Sequence, residues 1–225
     1  MPRPLRTAVG GLVYHVHNRG NARMRIFSQD SDYSAFEQLL IEAHERVRMR
    51  VLAFCLMPNH WHLVLWPYGD GDLTSFLSWL TMTHAQRWHV YHDTVGSGHL
   101  YQGRFKSFAV QTDDYFLKVC RYVERNALRA NLVSRAEDWR WGSLWHRERG
   151  FSRAQRLLSE WPVDRPNNWV AWVNEPQTQQ ELDAIRQSLA RSRPFGSEIW
   201  HESVSRQLGI ILAPRPRGRP KKKGS

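Results

Sequence analysis

The sequence is poor in cysteine and contains no long apolar run. Only two of its 225 residues are cysteines, Cys55 and Cys120, and each lies inside an apolar segment. Without a CxxC pair, a structural zinc site of the usual kind is excluded, and the two thiols are interpreted as small core residues. No apolar stretch approaches the roughly 20 residues of a membrane span, and the N-terminal "MPRPLRTAVGGLV" lacks a signal-peptide core. We therefore expect a cytoplasmic protein with no membrane partner.

The chain has fewer acidic than basic residues. The chain has 21 Asp and Glu against 32 Lys and Arg, a formal charge of +11, which points to a polyanionic partner such as nucleic acid. Residues 213–225, "APRPRGRPKKKGS", contain six basic residues and no acid, so they cannot bury a core. The "PRGRP" stretch has the form of an AT-hook, in which Arg217 and Arg219 would enter a narrow duplex minor groove. The alternative is a basic tail that binds phosphates without preference.

Hydrophobic periodicity predicts the order β-α-β-β-α-β-α. The predicted strands cover 11–19, 51–57, 60–66 and 104–111, and the predicted helices begin near Ser31, Asp72 and Thr112. Two β-α-β units around a central hairpin predict an α+β fold: a ferredoxin-like antiparallel sheet with helices on one face and the last helix packed beside it. Beyond about residue 135, six tryptophans lie in a short segment that Pro162 and Pro166 interrupt, and we expect them to anchor an irregular segment to the core rather than stack on bases.

Two histidines stand in the predicted strand "HWHLVLW". Side chains at i and i+2 share a strand face, so His60 and His62 lie side by side while Trp61 faces away. Neutral imidazoles are good ligands for divalent ions, but two ligands do not make a site, and a pair of satisfied strand histidines is the alternative.

A partner for the histidines is sought in "CRYVERNALR". On one helix, Tyr122 and Asn126 are four residues apart and share a face. This pairing offers a phenolic nucleophile beside an amide that could ligate an ion, although Tyr122 could equally be an amphipathic core residue. Arg121, Arg125 and Arg129 recur every four residues and form a basic row, which is either a set of phosphate contacts or a solvated face.

Several stretches together resemble one family. They are "YHVHNRGN" (14–21), "LMPNHWHLVL" (56–65), "YQGRFKS" (101–107), "RYVERNALRANLV" (121–133) and "WRWGS" (139–143). A histidine-hydrophobic-histidine (HUH) motif followed by a helix with one tyrosine is similar to the single-tyrosine HUH transposases of the insertion-sequence 200 type. The full set looks like their REP-associated tyrosine transposase branch, which is linked to repetitive extragenic palindromes in bacterial chromosomes.

The resemblance implies a catalytic site and a substrate. It assigns Tyr122 as the nucleophile and His60, His62 and Asn126 as ligands of Mg²⁺ or Mn²⁺. His15 or His17 becomes a rival third ligand if it faces the hairpin. The implied activity is cleavage and rejoining of single-stranded hairpin DNA through a 5′-phosphotyrosine link, by a monomer rather than a dimer, in the bacterial nucleoid.

The resemblance and the change in composition along the chain together suggest a domain division, and residues near the proposed site suggest further DNA contacts. Residues 1–145 would form the catalytic domain, 146–212 a Trp-rich helical accessory region, and 213–225 the basic tail. We expect additional DNA contacts from Asn18, Arg19, Gln102, Arg104 and Lys106. Two alternatives stay open: a DNA-binding or autoregulatory protein with a vestigial site, and a metal-dependent hydrolase in which water is the nucleophile.

Overall fold

The computed structural model describes residues 8–150 and 156–210 around a four-stranded antiparallel sheet. Its strands are β1 (Val13–Arg19), β2 (Met49–Met57), β3 (His60–Pro67) and β4 (Lys106–Val110). The spatial order is β2-β3-β1-β4. Helix α1 (Asp30–Arg46) joins β1 to β2, and α2 (Asp72–Tyr91) joins β3 to β4. This topology confirms the predicted ferredoxin-like α+β fold.

Six further helices follow β4 in the described part of the chain. They are α3 (Asp114–Glu124), α4 (Asn126–Arg129), α5 (Ser143–Arg149), α6 (Trp169–Asn174), α7 (Gln179–Arg191) and α8 (Glu198–Gln207). Short 3₁₀ turns occupy Asn21–Arg23 and Ala136–Asp138. The side chain of Asp113 accepts a hydrogen bond from the Tyr115 amide and so begins α3. None of the described helices combines the length and apolarity that crossing a membrane requires.

Both faces of the sheet are covered, which differs from the expectation of helices on one face only. Trp61 and Leu63 of β3 pack into the core formed with α1 and α2. Val64, which faces the other way, packs with Val119 and Cys120 of α3. The reason lies in β2, which is apolar on both of its faces and therefore needs a covering layer on each side. Helix α3 thus lies across the face to which His60 and His62 belong.

The chain after α4 closes the two open edges of the sheet. At the β2 edge, Leu158 bridges Val51 in parallel and the Ser159 amide donates to the Val51 carbonyl at 2.9 Å. At the β4 edge, the Phe195 amide donates to the Ala109 carbonyl at 2.8 Å. These pairings remove the unpaired backbone groups that make an exposed edge prone to aggregation.

The tryptophans of this region pack into the protein. The indole of Trp161 donates to the Leu52 carbonyl at 2.8 Å, and that of Trp169 donates to the Glu124 carboxylate at 2.7 Å. Buried indoles of this kind find an internal partner for the N–H group and pin an irregular segment to the core.

Candidate active site

Three imidazoles meet on the sheet face beneath α3. His60 and His62 project from β3, and β1 runs antiparallel beside it with His17 directly opposite His62. The His17 ring centre lies 4.7 Å from that of His62 and 5.4 Å from that of His60. One nitrogen from each of the three rings lies within 4.8 Å of the other two. We call His17, His60 and His62 the histidine cluster.

Burial keeps the histidine cluster in its neutral form. It lowers the pKa of His60 to about 4 and holds the pKa of His17 and of His62 well below the usual value, with nearby cations adding to the effect. Neutral imidazoles carry the lone pair that a metal ion needs. The donor set of the cluster therefore fits a divalent metal ion.

The second nitrogen of two cluster rings is already engaged. His60 Nδ1 lies 2.6 Å from Asn59 Oδ1, and His62 Nδ1 lies 2.9 Å from Nε2 of the fully buried His15. Both contacts use Nδ1 and leave Nε2 of His60 and His62 for an ion. Asn59 was missed by the sequence argument, although its place immediately before the first histidine of the motif was the available signal.

Tyr122 lies against the histidine cluster. Its side chain is 6% exposed, and its ring stands perpendicular to that of His62 with the centroids 5.7 Å apart. The edge contact to His15 is 6.1 Å between centroids. Folding therefore brings the Tyr122 ring into edge contact with two histidine rings of the sheet.

Asn126 lies on a different helix from Tyr122, contrary to the single helix expected. Helix α3 ends at Glu124, and Asn126 begins α4 after Arg125. The Asn126 side chain is 6% exposed, and its Nδ2 has no hydrogen-bond partner among the described residues. Its assignment as the third metal ligand stays a prediction.

The three arginines of the predicted basic row point to different partners. Arg121, which is 4% exposed, donates to the carbonyls of Trp172 and Glu175 at 2.8 Å each. Arg125 donates to the Val173 carbonyl at 2.9 Å. Both guanidinium groups thus satisfy carbonyls at the C-terminal end of α6, so the row is not the continuous phosphate-binding surface that the spacing suggested.

Arg129 behaves differently from the other two arginines. Its guanidinium carbon lies 4.3 Å from the centre of the Tyr122 ring, and its charge lowers the pKa of His60 and of His62 by Coulombic repulsion, after the larger effect of burial. It is the member of the row that lies at the candidate site.

The other predicted DNA contacts lie in three places. Arg19 and Lys106 flank the histidine cluster, opposite His60 and His17 respectively in the strand register. Gln102 and Arg104 are exposed on the segment leading into β4. Asn18 is buried, and its Oδ1 accepts the Arg19 amide, so strand alternation turns it away from the cluster. Arg217 and Arg219 lie outside the described residues.

Fold and site together define an α+β protein with a histidine-rich candidate metal centre on its sheet and a tyrosine packed beside it. The sequence profile of the family described as IS200-like transposases matches residues 8–126, more than half of the chain. The chain belongs to this family.

Comparison with one solved structure agrees with the fold. A REP-associated tyrosine transposase bound to a REP hairpin superposes with a TM-score of 0.53 at 20% sequence identity, covering 73% of this chain and 93% of that one. A candidate transposase from Deinococcus radiodurans R1 gives a TM-score of 0.40 at 18% identity, covering 55% of this chain and 96% of that one. A search of curated protein sequences finds no significant match.

Proposed function

We propose that this protein cleaves and rejoins single-stranded DNA through a covalent link to Tyr122. The observation that carries the proposal is the packing of the Tyr122 ring against His62, with Arg129 over its face. A phenol attacks phosphorus at neutral pH only where its surroundings favour the phenolate or polarise the phosphate. A divalent ion at the histidine cluster and the Arg129 cation beside Tyr122 are suited to polarising the phosphate.

The chemistry is a transesterification that conserves bond energy. Tyr122 Oη forms a bond to the scissile phosphorus, the bond from phosphorus to the 3′ oxygen breaks, and the phenolic proton ends on that oxygen. The products are a 5′-phosphotyrosine and a free 3′-hydroxyl, and attack by a 3′-hydroxyl on the phosphotyrosine reverses the step. A divalent ion bound by His60 and His62, Mg²⁺ or Mn²⁺ by the family resemblance, would supply charge that draws electron density from the phosphorus.

Three cations surround the place where a phosphate would bind. The charges of Arg19 and Lys106 lower the pKa of His17, in addition to the larger effect of burial, and Arg129 acts in the same way on His60 and His62. The buried Nε of Arg19 has no hydrogen-bond partner among the described residues. We assign Arg19, Lys106 and Arg129 as contacts of the scissile phosphate and its neighbouring phosphates. The exposed Gln102 and Arg104 would contact the DNA strand that leads away from the site.

The proposed substrate is a hairpin with a single-stranded foot. The site is lined by buried rings beneath α3, and an unpaired strand is narrow enough to approach such a site where a duplex is not. The structural neighbour was solved with a REP hairpin, which supports a hairpin as the DNA to test first. We further propose that the chain acts as a monomer and that the basic tail adds contacts to neighbouring duplex.

The decisive experiment incubates the full chain with a labelled REP-type hairpin and divalent metal, followed by denaturing electrophoresis. We expect a covalent protein–DNA adduct that Tyr122→Phe abolishes while hairpin binding survives. Tyr115→Phe, on the same helix but packed edge-on against Phe195, is the matched control and should retain the adduct.

The same gel separates the competing functions. An adduct that persists in Tyr122→Phe would refute the nucleophile assignment. Cleavage without any adduct would support hydrolysis by water instead, and a mobility shift with neither product would support a binding protein with a vestigial site.

A further inference from the structure

We propose that His17, His60 and His62 form a three-imidazole site that selects a first-row transition ion over Mg²⁺, with Asn59 and His15 as the positioning residues that present His60 and His62 to it. The inference deepens the proposed function, because the ion belongs to the same site. It is tested by metal binding without DNA, so its failure is distinguishable from failure of the strand-cleavage proposal.

The third ligand comes from the strand register. His17 lies opposite His62 in the antiparallel pair of β1 and β3, so the two side chains leave the sheet on the same face. With His60 they bring three ring nitrogens within 4.8 Å of one another, a spacing that a single ion can span. No hydrogen bond among the described residues joins the Asn126 carboxamide to any of these rings. The geometry therefore favours His17 over Asn126.

Asn59 selects the metal-binding tautomer of His60. Its Nδ2 donates to the Arg23 carbonyl at 3.3 Å, which turns Oδ1 toward His60 Nδ1 at 2.6 Å. A carboxamide oxygen can only accept, so the proton of the neutral imidazole resides on Nδ1 and the lone pair on Nε2. The Arg23 carbonyl is in turn held by a tight turn in which Ala22 and Arg23 have φ of 48° and 61°. Conformations this uncommon concentrate at functional sites.

His15 serves the same purpose for His62. When Nε2 of His62 binds an ion, its proton must lie on Nδ1, where His15 Nε2 accepts it across 2.9 Å. His15 then carries its own proton on Nδ1, and that atom is buried without a hydrogen-bond partner among the described residues. A buried polar atom with no partner is costly, so its presence beside the cluster argues for a purpose other than packing.

The ligand set determines which ions are preferred. Mg²⁺ demands oxygen ligands and gives up water reluctantly, whereas imidazole suits Co²⁺, Ni²⁺, Zn²⁺ and Fe²⁺. A third imidazole in place of a carboxamide removes the oxygen donor from the protein's ligand set and strengthens the preference for ions that bind nitrogen. Of the Mg²⁺ and Mn²⁺ that the family resemblance implies, only Mn²⁺ is a first-row transition ion, and it is the most weakly bound of that series.

The test uses the full chain with Co²⁺ as the probe. Binding is followed by calorimetry and by the visible absorption of cobalt, which reports its ligands directly. We expect one tight Co²⁺ site that Mg²⁺ in large excess does not displace. His17→Ala should abolish the spectrum, whereas His201→Ala on α8 is the matched control and should leave it unchanged. Full Co²⁺ affinity in His17→Ala, or displacement by Mg²⁺ at comparable concentration, would overturn the proposal.

The positioning role is tested separately. Asn59→Ala should weaken Co²⁺ binding by about 10- to 100-fold, the usual effect of losing such a partner. Asn59→Asp, which keeps the acceptor oxygen, should restore it. Imidazole ¹⁵N chemical shifts of the metal-free protein should report the Nδ1–H tautomer of His60 in the native chain and a mixture in Asn59→Ala. An unchanged tautomer would reject the role of Asn59.

The role of His15 needs its own pair of variants. His15→Phe should weaken Co²⁺ binding, and His15→Leu, which also lacks a hydrogen-bonding group, is made in parallel in case the phenyl ring prevents folding. Native Co²⁺ affinity in a folded variant of either kind would reject the role of His15.

Discussion

The ring of Tyr122 stands at 90° to the ring of His62, with 5.7 Å between their centres. The two residues belong to different layers of the protein, one to a helix and the other to the sheet beneath it. The contact is held by the core around it, in which Cys120 and Val123 of α3 pack onto the sheet. For the proposed role of Tyr122 this packing matters, because a side chain held by its core neighbours is oriented before DNA binds and little ordering remains for the chemical step.

Arg129 should matter for cleavage more than for binding. Its guanidinium covers the Tyr122 ring at 4.3 Å, where it can stabilise the charge that develops on the phosphate. We expect Arg129→Met to slow adduct formation by about 10²-fold, the usual cost of removing one such donor. Single-turnover assays at saturating protein measure this effect. Arg206→Met, at an exposed position on α8, is the control, and equal loss in both variants would contradict the assignment.

Arg121 should matter for stability and not for DNA. Because it satisfies carbonyls at the end of α6, Arg121→Met is expected to lower the free energy of unfolding by about 1.5–3 kcal/mol. The salt dependence of hairpin binding should not change, since no phosphate contact is lost. Urea denaturation and a salt titration measure the two effects. A shallower salt slope with native stability would restore the phosphate-contact interpretation.

Glu124 should make stability depend on pH. Burial raises the pKa of its carboxyl above the usual 4.5, despite the hydrogen bonds from Ser143 and Trp169. As pH rises, the unfolded chain loses this proton first, so the free energy of unfolding falls from about pH 4.5 until the folded-state pKa is passed.

Glu124→Gln should remove this pH-dependent fall in the free energy of unfolding. The variant should therefore gain stability relative to the native chain as pH rises through this window. Urea denaturation at a series of pH values tests it, with the exposed Glu202→Gln on α8 as control. A constant difference between the Glu124 variant and the native chain at every pH would contradict the expected titration.

The basic tail should raise affinity without taking part in chemistry. Deleting residues 213–225 removes six positive charges, so hairpin binding should weaken at moderate salt and the slope of log K against log salt should become shallower. Adduct formation at saturating protein should survive. Its loss at saturation would assign the tail to the catalytic step, and a preference for AT-rich duplex that vanishes with Arg217→Ala would support the AT-hook.

Local sequence patterns were sufficient to predict the strands and helices and to place two histidines on one face of a strand. Alternation along "HWHLVLW" places His60 and His62 on one face because side chains on a strand repeat every two residues, and this holds for any strand. The four-residue spacing of Arg121, Arg125 and Arg129 predicts one basic row on a helix face for the same kind of reason. The structure does not contain this continuous row, because a spacing does not reveal what packs above the helix, and α6 lies far along the chain.

By itself, then, the sequence determined the order of strands and helices, the basic character of the chain, and the two imidazoles that share a strand face. These follow from periodicity and composition, which act over a few residues. The tertiary structure alone decided that His17 joins the cluster, that α3 crosses to the same face with Tyr122 inward, and that Arg129 covers its ring. Each of these depends on the register between strands or on the packing of distant segments, and such contacts form only when the whole core assembles.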